Sequence, residues 1–183
     1  MNDTKQNYTF SQRLIGVIKL MRPKQWIKNS FVLAPLLFTG EFLNPEAVQQ
    51  ALLATLLFCL ASSATYIIND IHDIEHDRRH PKKSKTRPLA TGIVTIPAAL
   101  LTLGMLYATL IWGWFYFSNV VWVIIAYLIL NLAYTFILKY QPVLDIFTIA
   151  IGFVLRVYAG ATALSVPVSD WMFITTLSLA LYL

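Results

Sequence analysis

PLATGIVTIPAALLTLGMLYATLIWGWFYFSNVVWVIIAYLILNLAYTFIL (residues 88–138) runs from Arg87 to Lys139 without a single Asp, Glu, Lys or Arg. As one helix it would be about 76 Å long, more than twice the ~30 Å hydrocarbon layer of a bilayer. The chain must therefore turn back inside it, and Phe117-Ser118-Asn119 is the natural place. The stretch predicts two membrane spans, residues 93–114 and 120–138. Working outward, residues 48–68 form an uncharged span, and residues 143–164 form another that carries Asp145 and Arg156. Residues 26–42 make a short first span interrupted by Pro35, and residues 171–183 begin a sixth and stop. The expected fold is all-α, a polytopic transmembrane bundle of five complete spans and a truncated sixth.

Composition agrees. The 183 residues are 57% hydrophobic and 13% charged, with a mean hydropathy of +0.63, whereas soluble domains carry about a quarter charged residues. The one cysteine, Cys59, sits in an apolar run and reads as core filler. The net charge of +5 does not point to nucleic acid, because of where the charges lie. Thirteen of the fourteen basic residues flank the spans on the side of the N-terminus: Lys5, Arg13, Lys19, Arg22, Lys24 and Lys28, then the cluster from Arg78 to Arg87, then Lys139. The opposite loops carry only Glu41, Glu46 and Asp170. The positive-inside rule places the N-terminus in the cytoplasm. Trp112, Trp114, Tyr116 and Trp122 mark the far boundary as an aromatic belt. Residues 1–25 are read as a cytoplasmic basic segment and 26–183 as the membrane domain.

At the cytoplasmic end of the second span stands N-D-I-H-D-I-E-H-D (69–77). On a continuous helix Asp70, Asp73 and Asp77 fall within an arc of about 60°, with Asn69 on the flank. Three carboxylates converging at a membrane boundary repel one another unless a cation joins them. Carboxylate oxygens suit Mg²⁺, which combines one or two of them with substrate phosphates and water. Asp70, Asp73 and Asp77 are thus the candidate metal ligands. His72, His76 and His80 recur every fourth residue, but on the opposite side from the Asp face, and read as a solvated stripe rather than a zinc site.

The basic counterparts follow. K-K-S-K-T-R-P-L-A-T-G (82–92) lies beside the acids, and Arg87 is held by Pro88 where the next span begins. It is a candidate clamp for a diphosphate leaving group. Lys24 and Lys28 are one α-helical turn apart and are candidate phosphate ligands at the membrane surface. Lys139 ends the fourth span, five residues after Tyr134. Asp145 and Arg156, eleven residues apart, share a helix face about 16 Å apart along the axis. Arg156 lies mid-span, where a charge faces the bundle interior. Gly152 and Gly160 flank it at i−4 and i+4 and allow close helix packing. It is either a structural clamp or an anion ligand.

N-D-x-x-D-x-x-x-D (69–77) followed by K-x-R-P-L-A-x-G (85–92) resembles the UbiA superfamily of intramembrane prenyltransferases. R-P-K-Q-W-I-K-N (22–29), Leu138-Lys139 with Asp145, and G-F-V-L-R (152–156) are similar to its decaprenyl-phosphate phosphoribosyltransferase branch. The resemblance implies a multi-pass protein of the bacterial inner membrane that moves a phosphoribosyl group from 5-phosphoribosyl 1-diphosphate to a polyprenyl phosphate. It implies Mg²⁺ on Asp70, Asp73 and Asp77, and catalysis by Asp70, Asp73, Lys139 and Arg156. Asn69, Arg87, Lys24, Lys28, Tyr134 and Asp145 would bind substrate. It covers only the N-terminal part of the family pattern, so a C-terminal half carrying a second polar motif is an expected partner. Two other readings stand beside it: prenyl transfer from a prenyl diphosphate to an aromatic acceptor, and an inactive or split half of such an enzyme. A transporter fits poorly, because the acids lie at a span end and not at the midplane.

Overall fold

The computed structural model of the chain describes residues 8–182. Lys5 and Leu183, both used in the span analysis, lie outside the described residues. Every regular element among the described residues is helical.

Helix α1 (Phe10–Leu20) starts at a capping box, in which the Thr9 side chain accepts from the Gln12 N–H and the Gln12 side chain accepts from the Thr9 N–H. The basic segment expected at residues 1–25 therefore contains a docked helix, with Gly16 and Leu20 buried against the bundle. A 3-10 helix, Pro23–Leu33, follows and runs into α2 (Ala34–Phe38). Eleven residues is long for a 3-10 helix, and its three-residue repeat turns Trp26, Asn29, Val32 and Pro35 inward on one face. At about 2.0 Å per residue for the 3-10 part and 1.5 Å for the rest, the pair is about 30 Å long. The stretch expected as a short first span is thus extended by its tighter winding. Gly40, with φ +77°, ends it.

Helix α3 (Pro45–His72) opens with Asn44, whose side chain caps Glu46 and Ala47, and with a proline in its first turn. Its buried positions include Ala47, Ala51, Ala54, Ala61, Ser62 and Ser63, small residues that let neighbouring backbones come close. The short helices α4 (Ile74–Arg79) and α5 (Lys83–Thr86) form the connection to α6 (Ile96–Phe136). The α6 stretch is two helical arms that meet at Phe117, whose φ −137° and ψ 50° lie outside the helical region. Tyr107 and Leu128 line one apolar cavity, although a straight helix would hold them about 32 Å apart. The two arms of α6 therefore fold against each other at the turn expected from the sequence. Around it the aromatic residues pair, Trp112 with Tyr116 and Trp114 with Trp122, ring centres 5.0 Å apart in both cases. Helices α7 (Pro142–Ala163) and α8 (Asp170–Tyr182) follow.

Helix α3 packs on α6, α6 on α7, and α7 on α8, while the 3-10 helix contacts both α3 and α7. Val32, Leu57, Phe58, Ile124, Tyr127 and Ala159 meet in the main core. Gly160 allows the close approach of the 3-10 helix to α7: a Cβ there would stand 1.8 Å from the Val32 carbonyl oxygen. The outer surface is apolar, with Leu52, Ile111, Phe115, Ile146 and Phe147 exposed, the pattern of a bundle surrounded by lipid. Three helices, α3, α6 and α7, are long and apolar enough to cross a membrane. The fold is an all-α membrane bundle, as expected.

Candidate active site

Helix α3 ends at His72, and Asp73 (φ −91°, ψ 7°) separates it from α4. The continuous acidic helix expected from the sequence is therefore broken in its middle, although the Asp73 and Asp77 N–H groups still bond four residues back. The break changes where the carboxylates point. They share one end of the bundle, yet among the described residues no three acidic or histidine side chains gather at one point. The expected threefold convergence is absent; each acid is turned to a cation instead.

Asp70, 2% exposed, accepts from Arg22 and from Arg87, whose Nη1 lies 3.0 Å from Oδ1 and 3.3 Å from Oδ2. Asp77, equally buried, faces Lys83 Nζ at 3.0 Å and Arg87 Nε at 4.0 Å. One guanidinium thus ties two carboxylates seven residues apart in sequence. Asp73 takes the other direction, accepting from Lys139 Nζ at 2.7 Å and lying 2.8 Å from His72 Nδ1. Partial burial works against its charged form, but the bonds from Lys139 and His72 prevail and hold its pKa below the usual carboxylate range.

The sequence pattern does not single out Arg22 or Lys83. Arg22 has φ 53° and ψ 58°, left-handed backbone in a non-glycine residue, and it precedes Pro23, where extended backbone is favoured. Such a conformation costs on the order of 1–3 kcal/mol and persists only where surroundings fix it. Here the fixing contacts are the Asp70 ion pair and the Tyr66 ring, 4.6 Å from the guanidinium carbon. No periodicity in the sequence announces a left-handed residue before proline.

The other expected residues divide into two groups. Lys139, in a 3-10 turn after α6, joins the acidic end directly. Tyr134, in the last turns of α6, lies near Asp145 in the first turn of α7, so these two stand close together on either side of Lys139 in the chain. Asn69 is half-buried, and its carbonyl accepts from the Asp73 N–H. Lys24 and Lys28 are exposed on the 3-10 helix. At three residues per turn they lie about 120° apart, which corrects the expectation that they face the same way. His72, His76 and His80 are exposed, and the break at Asp73 takes them off a common helix.

Arg156 is elsewhere. It is 5% exposed and sits among α7, α6 and the 3-10 helix. Its Nε donates to Asn29 Oδ1 at 2.9 Å, Nη1 to the Gly152 carbonyl at 2.7 Å, and Nη2 to the Tyr127 hydroxyl at 3.2 Å. Phe58, Tyr127 and Phe153 lie within 5.4 Å of its guanidinium carbon. Asn29 in turn donates to Cys59 Sγ and Ser62 Oγ. Ser62 precedes Asp70 by eight residues of α3, about 12 Å along the axis, so the structure does not bring Arg156 to the acidic end.

The fold and this end define a polytopic helical membrane protein that carries a matched set of carboxylates and cations where its spans leave the bilayer. Residues 30–183 match the UbiA prenyltransferase family, and the chain belongs to that family. It is similar to decaprenyl-phosphate phosphoribosyltransferases of Mycolicibacterium smegmatis, 42% identical over 85% of this chain and 50% of the relative, and of Corynebacterium glutamicum, 36% identical over 93% and 53%. It is also 34% identical, over 80% of its length and 48% of the relative, to nodulation protein NoeC of Azorhizobium caulinodans. The chain spans about half the length of the curated relatives it matches.

Proposed function

We propose that the acidic end is the donor site of a Mg²⁺-dependent transferase, which moves a phosphoribosyl group from 5-phosphoribosyl 1-diphosphate to a polyprenyl phosphate. The observation that carries this reading is the pairing of Asp70, Asp73 and Asp77 with Arg22, Arg87, Lys83 and Lys139. A magnesium diphosphate is itself a paired set of charges. Its metal calls for carboxylates and its phosphates call for cations, and both are present at one place.

The donor set fits Mg²⁺, because that ion needs only one or two protein carboxylates beside phosphate and water. Asp70 and Asp77, already held to one guanidinium, would hold it, with Asp73 and Asn69 adjoining. When bound, the metal supplies charge neutralisation to the departing diphosphate. Arg87 and Arg22 would donate to phosphate oxygens as their carboxylates turn away. Lys139, paired with Asp73, would meet negative charge as it develops on the leaving group. Lys24 and Lys28, exposed on the 3-10 helix, are left for the acceptor phosphate. Arg156 fits the clamp alternative better than the catalytic one, since its donors are occupied by neutral groups inside the bundle.

In this reading the N-terminus and the acidic end face the cytoplasm of a bacterial inner membrane. The equivalent of the relatives' other half, in the same or a second chain, completes the site. The test is transfer in membranes holding this chain, alone and with that half supplied from a relative. Polyprenyl phosphate and labelled 5-phosphoribosyl 1-diphosphate are added with and without Mg²⁺. Label reaching the lipid phase only with Mg²⁺, and lost in Asp70→Asn, is the expected result. Transfer instead from a prenyl diphosphate to an aromatic acceptor overturns the phosphoribosyl assignment.

A further inference from the structure

Helix α1 has two apolar faces, and the bundle covers only one. Gly16 and Leu20 are buried; a Cβ on Gly16 would stand 2.6 Å from Ile93 Cγ2 and 2.9 Å from Val94 Cγ2. On the outside, Phe10 is 83% exposed, and Leu14, Ile15 and Ile18 are about half exposed. At 100° per residue these four fall within an arc of about 140°, and Arg13 and Lys19 lie about 60° and 40° beyond its edges. A greasy strip bracketed by cations is the pattern of a helix lying in a membrane interface, with cationic stems reaching up to the headgroups.

Three further observations say what covers the strip. The helix has 11 residues, about 16 Å, too short to cross a bilayer. It packs beside Ala64 and Ile67 in the last turns of α3 before Asp70, and beside Val94 and Ala99 where α6 begins, which fixes its depth at the boundary between apolar span and charged end. Between Tyr8 and Gly40 the sequence has five basic residues and no Asp or Glu, so the neighbouring surface complements an anionic one. The Thr9 capping box and the bond from the Tyr8 hydroxyl to the Thr91 carbonyl hold the helix formed and in place.

We propose that α1 is an interfacial helix seated in the leaflet at the acidic end, with Phe10, Leu14 and Ile18 among acyl chains and Arg13 and Lys19 on anionic phospholipid headgroups. The inference does not depend on the transfer reaction. It places a membrane anchor directly before Arg22, so the depth of α1 sets the height at which Arg22 meets Asp70.

The experiment uses the full chain in vesicles of phosphatidylcholine with and without about a third phosphatidylglycerol. Nitroxide labels are placed singly at Leu14→Cys, Ile18→Cys and Lys19→Cys, with Cys59 buried and replaced by Ser in a control. Accessibility to oxygen relative to a water-soluble nickel chelate is expected to be several-fold higher at positions 14 and 18 than at 19, and to rise further at 14 and 18 with phosphatidylglycerol. An Arg13→Gln, Lys19→Gln double variant is expected to lose that further rise and keep the rest. Equal, water-like accessibility at all three positions overturns the seating in lipid. Protection of positions 14 and 18 from both reagents, with spin–spin broadening, assigns the strip to a second copy of the chain. Immersion identical in the two vesicle types overturns the anionic partner.

Discussion

Two regions of this bundle take charge out of water, and they do so in opposite ways. At the acidic end, each buried or half-buried carboxylate meets a cation on a neighbouring element: Asp70 with Arg22 and Arg87, Asp77 with Lys83, Asp73 with Lys139. In the middle of the bundle, Arg156 has no carboxylate partner among the described residues. It is held by an amide oxygen, a backbone carbonyl, a phenol hydroxyl and three ring faces. Ion pairs between side chains at a span end are exchangeable, because another ion can replace either member. Neutral dipoles fixed to three helices exchange with nothing. The first arrangement suits a site that must open for a charged substrate, and the second suits a joint.

The sharpest way to break the comparison is to remove charge at the exchangeable end. Asp70→Asn keeps the shape of the side chain and one acceptor oxygen while removing the carboxylate. Transfer is expected to fall about 10³-fold, on the order of 4 kcal/mol of lost transition-state stabilisation. The variant is expected to remain helical and monodisperse in detergent. Full Mg²⁺-dependent turnover in that variant would remove Asp70 from the site and leave the acidic end as a folded charge cluster.

The joint is broken from its glycine. Gly160→Ala puts a Cβ 1.8 Å from the Val32 carbonyl oxygen, a backbone atom that moves only if the whole 3-10 helix moves. Destabilisation of about 3 kcal/mol is expected from this overpacking, read as a lower melting temperature in detergent. Gly152→Ala is expected to cost less, because its Cβ would lie 3.3 Å from the end of the Arg156 side chain and not against backbone.

Arg156 itself tests whether the joint holds by charge or by hydrogen-bond geometry. Arg156→Met fills similar space and leaves Asn29 Oδ1 and the Tyr127 hydroxyl without their partner, for a loss of about 2 kcal/mol. Arg156→Lys keeps the charge but has no planar fork to reach three acceptors, so it is expected to recover less than half of that. In a double-mutant cycle with Asn29→Ala, a coupling of about 1 kcal/mol is expected. A coupling near zero would mean that the Arg156–Asn29 bond contributes nothing to holding the 3-10 helix in place.

How much of this was legible beforehand follows from what each feature rests on. The turn at Phe117 was readable because length alone forbids a 76 Å helix, and the Gly152 and Gly160 face was readable because α-helical spacing holds in α7. The approach of Lys139 to the acids was implied only by family resemblance. What failed was geometry that departs from the α-helix. α-helical spacing puts Lys24 and Lys28 on one face, and the 3-10 winding separates them. The Asp70, Asp73 and Asp77 arc requires a continuous helix, and the helix breaks at Asp73, whose carboxylate meets Lys139. Arg22 escaped because a left-handed residue before proline has no sequence signature, whereas the pattern around it, R-P-K-Q-W-I-K-N, marked the segment without saying which cation mattered.

The smallest expected effect belongs to the pair at the edge of the exchangeable end. Asp73 is the most exposed of the three acids, at 21% of its side chain, so its contacts are screened by water and salt and each is expected to contribute only about 0.5 kcal/mol. The sign is nonetheless fixed. Its pKa in the folded chain is below the usual carboxylate value, so the unfolded chain binds the proton more readily. The pair's contribution is therefore complete above the ordinary carboxylate pKa, and it is lost as pH falls through the lower, folded value. Lys139→Met is expected to reduce this acid-side loss, so that the stability curves of the variant and the unaltered chain converge toward low pH and separate above it. Parallel curves across that window would mean that His72, and not Lys139, holds the Asp73 charge, and His72→Ala would then be the variant that flattens the curve.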